Sequence, residues 1–259
     1  MNGNNLGEMF VAMNDIGGEH EFERRLMNQR SGVPKCYDER DSIAVYHSKA
    51  GIEALESGDI ERAFKHRSSM ISAWGRLRRI DVPADTGWQF DGEAGQEMME
   101  FHTVLYAYPL IFGGETILPK LPTPDNFVPP EDDPDFDPET KYTMTVQAWL
   151  AGAADAPGEL GKMVYKRLAE ETMPLGARLD LLERLIGVSG DILAFLNQYV
   201  GIGIPDPIMN VTRRRGYFNT YRGKLTKIAG FIEKDRREVA QLKNMMAVFE
   251  AYGLTKKEG

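Results

Sequence analysis

The amino-acid sequence predicts an all-α protein, and three observations carry that reading. Apolar residues recur at helical spacing through most of the chain, no stretch alternates as a half-buried strand does, and one long Pro-rich segment separates two blocks of helical pattern. The 259 residues are 42% hydrophobic and 27% charged, proportions that support a substantial buried core. A formal net charge of −8 excludes a strongly basic nucleic-acid coat, although local basic clusters can still bind phosphate. Cys36 is the single cysteine, which excludes an internal disulfide framework and a Cys-rich zinc site and suits a reducing compartment. The opening MNGNNLGEMF has no basic segment followed by an apolar one, and no run approaches the roughly 20 apolar residues of a membrane helix. A cytoplasmic protein outside any membrane is the expectation.

Residues 1–18 are rich in Asn and Gly and end in Gly17-Gly18, which predicts a loose arm because glycine loses the most backbone entropy on ordering. Residues 19–29 have the charged pattern of a short helix, ended by Ser31-Gly32-Val33-Pro34. Residues 37–56 carry Ile43, Val45, Ala50, Ile52 and Leu55 among charges. Gly58 then reads as a helix stop and Asp59 as the N-cap of the next helix, which makes an αα-hairpin. That next helix, 60–80, places Ile60, Phe64, Met70, Ile71, Trp74 and Leu77 near one side. It ends in Arg76, Arg78 and Arg79, cations that suit the C-terminal end of the helix dipole. A Pro/Asp/Gly connector at 81–92 leads to a third strong helix at 93–112. Residues 113–140, with Pro119, Pro122, Pro124, Pro129, Pro130, Pro134 and Pro138, read as a long loop. Helical patterns resume over 142–171, 174–199 and 210–250, with Leu175, Leu179, Leu182, Ile186, Leu193 and Leu196 close to an i, i+3, i+4, i+7 stripe. The sum is an antiparallel bundle of about seven helices in one domain spanning 19–250, with a tail at 251–259.

Two acidic constellations stand out. Glu93, Glu97 and Glu100 fall on one helical face, where neighbouring carboxylates about 5–6 Å apart at Cβ repel unless solvated or compensated. A solvated acidic face is the commoner explanation of such spacing. Asp155 and Glu159 are also four apart, yet they lie amid Ala, Gly, Leu and Met, where carboxylates are retained when something pairs or coordinates them. If the helix at 93–112 faces the helix at 142–171, then Glu97, Glu100, Asp155 and Glu159 converge as a hard oxygen-donor set suited to magnesium or manganese.

Other chemistries fit less well. A ferritin-like Glu-x-x-His pair is absent, because Gly17, Ala44, Ala63 and Met99 stand three before the four histidines. The acidic loop EDDPDFDPET lacks the turn glycine of a calcium loop, and Gly201-Ile-Gly203 lacks the strand and third glycine of a phosphate loop. His102 reads as a satisfied core histidine, with a supporting role beside Glu100 as the alternative. The stretch from Arg213, Arg214 and Arg215 through Tyr217, Phe218 and Tyr221 to Lys224 mixes cations with aromatics, as a nucleic-acid surface does. A solvated basic face over core aromatics is the competing reading. Arg76, Arg78 and Arg79 form a second basic cluster.

The segment Trp149-Leu150-Ala151-Gly152 through Asp155 and Gly158-Glu159-Leu160 resembles the pattern Tyr-Leu-x-Gly-x-x-Asp-x-x-Gly-Glu-Leu of translin and translin-associated factor X (Trax). Gln96-Glu97-Met98-Met99-Glu100 resembles the Gln-Glu-x-x-Glu of Trax, and RRRGYFNTYRGKLTKIAGFIEK resembles the family's last long helix. The likeness spans roughly residues 37–240. It implies a seven-helix fold assembled into an octameric hollow shell that binds single-stranded RNA or DNA, with Trax as the subunit that carries a magnesium-dependent endoribonuclease site. Carried over by position, Glu97, Glu100 and Asp155 match that site, with Glu159 as an added metal ligand. Translin lacks the complete set, so the two acidic pairs point to the Trax side.

The expectation is thus a Trax-like endoribonuclease using Mg2+, with Mn2+ as a substitute, on single-stranded RNA. Arg76, Arg78, Arg79, Arg213, Arg214 and Arg215 are its nucleic-acid contacts. The assembly is expected to be a homo-oligomer such as an octamer, or a hetero-oligomer with a translin-like chain. The alternatives are a non-catalytic, translin-like binder of single-stranded RNA or DNA and a helical scaffold without nucleic-acid affinity. The chain departs from the family pattern at Pro157 inside the motif, at residues 31–34 in the first helix and in the length of 113–140. Pro157 removes a helical hydrogen bond and is expected to bend the helix, shaping the acidic pocket or misplacing Glu159.

Overall fold

The computed structural model describes residues 46–79, 84–115, 118, 120, 121, 144, 146–170, 172–200 and 211–252, with the side chains of 78, 79, 84–93, 170 and 211–220 outside that description. Six helices are described: α1 (Lys49–Glu56), α2 (Ile60–Arg79), α3 (Ala84–Phe112), α4 (Val146–Glu170), α5 (Leu175–Asn197) and α6 (Val211–Ala251). Among the described residues there is no strand, and no helix is long and apolar enough to cross a membrane. The expected arm at 1–18, the helix at 19–29, most of the loop at 113–140 and most of the tail at 251–259 lie outside the described residues.

The α1–α2 hairpin closes as its residues dictate. Gly58 takes φ +75°, its amide donates to Leu55 O (3.0 Å), and the Asp59 amide donates to Ala54 O (2.8 Å), which satisfies the last carbonyls of α1. Asp59 Oδ1 then accepts from the Arg62 amide at 3.0 Å and caps α2. One boundary differs from expectation. The segment 84–92, read as part of a connector, is the first part of α3, so Gly87 and Gly92 stand inside a helix. Glycine disfavours a helix interior by only about 1 kcal/mol, and the packing of the rest of a 29-residue helix overrides it.

Helix α3 is the centre of the bundle. Met98, Met99, Phe101, Val104, Leu105 and Ile111 are fully buried, and so is the polar pair His102 and Thr103, whose side chains bond to the carbonyls of Met98 (2.7 Å) and Met99 (2.8 Å). The helix packs most extensively against α4 and also touches α1, α2 and α5. On α5 the buried residues are Leu181, Leu182, Leu185, Ser189 and Leu196, a face rotated from the expected stripe, since Leu179, Ile186 and Leu193 are only partly buried.

Glycine sets the closest approaches. A Cβ on Gly152 of α4 would drive into the Gln96 carbonyl oxygen and stand 2.8 Å from both Glu100 N and Met99 Cβ. On α1, a Cβ on Gly51 would collide with the Phe101 ring. Pro157 does not end α4, which continues unbroken from Val146 to Glu170 around it. Gly152→Ala is therefore expected to force α3 and α4 apart and cost about 1–3 kcal/mol or more in urea unfolding. Gly161→Ala on the same helix, where a Cβ meets nothing within 4 Å, is expected to be neutral or stabilising by up to about 1 kcal/mol.

Candidate functional site

The α3–α4 contact brings the two acidic pairs to one place. Glu97 and Glu100, three apart on α3, share a face, and Asp155 and Glu159, four apart on α4, share the face opposite. Gly152, one turn before Asp155, is the point where the helices meet. Asp155 Oδ2 accepts from Gln96 Nε2 at 2.9 Å and from Lys224 Nζ of α6 at 2.5 Å, and the same ammonium reaches Ala151 O at 3.3 Å. Glu159 Oε1 pairs with Lys162 Nζ at 2.5 Å on its own helix. Both α4 carboxylates are thus half-buried and compensated by the chain's own cations.

The α3 carboxylates are not compensated in this way. Glu100 is 9% exposed, and among the described residues no hydrogen-bond donor or ion-pair partner reaches it. Burial, followed by the charges of Glu97, Asp155 and Glu159, pushes its pKa up to about 8, against the weaker opposing pull of Lys224. Burial also raises Glu97, opposed by Lys49. Four carboxyl groups therefore feel one another across two helices, and Glu100 answers by keeping its proton near neutrality.

A cleft of about 490 Å³ opens beside these groups, with Glu100, Asp155 and Glu159 at one side. Its far wall is α6, which presents Lys227, Phe231 and Lys234. At its floor the Tyr165 hydroxyl donates to Asp235 Oδ1 (2.6 Å) and lies 2.9 Å from Glu238 Oε2, while Lys234 Nζ sits 4.5 Å over the Tyr165 ring. Burial raises the Asp235 pKa, against the lowering effect of the Tyr165 hydrogen bond and the Lys234 charge.

The remaining sequence candidates distribute as follows. Arg76 is half-buried on α2, and its charge adds to burial and the His66 charge in lowering the His47 pKa to about 4. The side chains of Arg78, Arg79, Arg213, Arg214, Arg215 and Glu93 lie outside the described residues, as does Cys36. His102 is a core histidine: Nδ1 donates to Met98 O and Nε2 accepts from Arg67 Nε at 3.1 Å, and burial, followed by the Arg67 charge, lowers its pKa to about 3 against the raising effect of the Met98 bond. Tyr221 is core as well, its hydroxyl donating to Leu196 O at 2.9 Å. Sequence reasoning missed Gln96, Lys162 and the roles of Lys224, Lys227, Phe231 and Lys234. The last four were detectable, since their spacing of three, four and three marks a single face of α6.

No family model matches the sequence, and no curated protein matches it either. Among solved structures, AfC3PO in a complex with duplex RNA aligns over 85% of this chain and 96% of its own, with a TM-score of 0.51 at 18% identity. The fold is translin-like. A second AfC3PO crystal structure aligns over 90% of this chain and 98% of its own at 17% identity, with a TM-score of 0.48.

The buried acid of this translin-like bundle has a measurable consequence. From the ordinary carboxylate range up to about pH 8, folded Glu100 holds a proton that the unfolded chain has released, so its contribution to stability is present at low pH and is lost as pH rises through about 8. Glu100→Gln, a neutral isostere, is expected to exceed wild type in stability by about 1–3 kcal/mol near pH 9 and to match it near pH 5, read by urea unfolding at each pH.

Proposed function

We propose that this chain binds single-stranded RNA within an oligomeric translin-like assembly and cleaves it as a magnesium-dependent endoribonuclease at Glu97, Glu100 and Asp155, with Glu159 beside them. The observation that carries this reading is Glu100: a residue only 9% exposed, without a donor among the described residues, and on a cleft shared with two more carboxylates. Acids kept in such a place hold their protons or take up a cation, and the all-oxygen donor set is of the type that holds Mg2+ or Mn2+. The AfC3PO neighbour is a complex with duplex RNA, which supports RNA as the class of ligand, and the Trax-like pattern of the sequence supports the endoribonuclease part of the reading.

The fit is one of donor chemistry. Among the described residues no three of these groups stand in a ready-made metal-holding arrangement, and the Lys224 ammonium rests on Asp155. The chemistry that bound Mg2+ supplies is neutralisation of phosphate charge and acidification of a water. The chain's own residues do the rest. Gln96 fixes Asp155 through Oδ2, Lys162 restrains Glu159, and Lys224 offers a cation at the cleft that can turn from Asp155 to a phosphate oxygen. Glu100 itself keeps only 9% of its surface exposed.

The Lys224–Asp155 pair also favours a second reading, a non-catalytic single-stranded RNA or DNA binder in which lysine permanently takes the place of a metal. Cleavage of labelled single-stranded RNA separates the two. The endoribonuclease reading expects cleavage in Mg2+, none in EDTA, and a loss of about 100-fold or more in Glu97→Gln and Asp155→Asn, with RNA binding retained. Binding with no cleavage in Mg2+ or Mn2+ would assign the chain to the second reading.

A further inference from the structure

The face of α6 that lines the cleft is a Lys-Lys-Phe-Lys stripe. Lys224, Lys227, Phe231 and Lys234 recur at intervals of three, four and three, so at 1.5 Å per residue they climb about 15 Å along one side of the helix. The first of them touches the carboxylate end through Asp155. The other three stand on the cleft wall, and Phe231 is one of the exposed large apolar side chains of the described residues. A phenylalanine left open between cations is not explained by the core, which α6 fills with Tyr221, Leu225, Ile228 and Ile232 on the adjacent face. The Phe231 ring reaches α4, coming within 4.0 Å of where a Cβ on Gly158 would be, so the ring is seated beside a residue without a side chain. The Lys227 ammonium lies 5.6 Å from the Phe231 ring centroid, which presents charge and π-face together.

We propose that Phe231 is a base-stacking platform and that Lys227 and Lys234, one on each side of it, hold the flanking phosphates, so that the chain requires an unpaired nucleotide beside its carboxylate site. This deepens the RNA reading and rests on it. The chemistry is specific to a strand whose bases are free. A ring on a helix wall can stack a base that has left its own stack, and such stacking is tolerant of base identity. A duplex offers the lysines its phosphates but offers Phe231 nothing. The residues are positioning residues: they lie along the wall from the acids, and their effect is to hold a strand across the cleft.

Binding of a labelled single-stranded RNA to the full chain in EDTA, followed by anisotropy over a range of salt, tests this without cleavage. Phe231→Leu keeps the apolar volume and loses the stacking face. It is expected to weaken single-strand binding by roughly 5- to 100-fold, whereas Phe231→Trp keeps wild-type affinity or tightens it. An abasic strand of equal length is expected to bind wild type and Phe231→Leu alike. Lys227→Gln and Lys234→Gln are each expected to lower the slope of log affinity against log salt by about 0.7. If Phe231→Leu binds the ordinary strand as wild type does, or weakens both strands equally, the stacking proposal falls while the endoribonuclease reading stands on its own assay. If wild type binds no RNA at all, both fall.

Discussion

The close approach of α3 and α4 at Gly152 is the contact on which the rest of this molecule depends. A side chain at that position would occupy the space of the Gln96 carbonyl, so the two helices can touch there only because the residue has none. Contact at that depth places an α3 face bearing Glu97 and Glu100 against an α4 face bearing Asp155 and Glu159. The bundle's interior thereby gains four carboxyl groups in one neighbourhood, an arrangement that hydrophobic packing alone would never favour. The fold accommodates it unequally: the α4 acids are met by Lys224, Lys162 and Gln96, whereas burial raises both α3 acids and lifts Glu100 to about 8.

That inequality is what separates this site from an ordinary buried ion-pair network. Had each acid found its own lysine or arginine, the cluster would be a structural feature and nothing more. Glu100 instead opens onto a cleft whose opposite wall is basic and aromatic. Acids at one side and cations with an exposed ring at the other make a surface that can hold a phosphate chain by its charge, keep a base by its face, and bring the linkage between them toward the carboxylates. The net charge of −8 is no obstacle, because the field that a strand meets is the local one along α6.

Much of this was legible in the residues. Gly58 and Asp59 announced the turn between α1 and α2 and serve there as stop and cap. Asp155 among alanines and glycines signalled a half-buried acid in need of company, and His102 signalled a core histidine. What stayed hidden was long-range. Nothing near Asp155 in sequence names Lys224 as its partner, which lies 69 positions away, and a three-residue spacing of glutamates reads equally as a solvated face until α4 is known to cover it. The start of α3 was missed because Gly87 and Gly92 spoke for a connector, and local propensity yielded to the packing of a long central helix. The arginines at 213–215 lie outside the described side chains, and the described cations on the cleft wall are the evenly spaced lysines that follow them.

The α3–α4 contact holds inside the bundle an acid that no cation pairs among the described residues. Glutamate carboxyl NMR on metal-free wild-type protein, with the Glu100 signal assigned by its absence in Glu100→Gln, measures this directly. The account predicts that Glu100 titrates at about pH 8. Titration in the ordinary glutamate range, near about 4.3, would show a solvated or partnered carboxyl and contradict it.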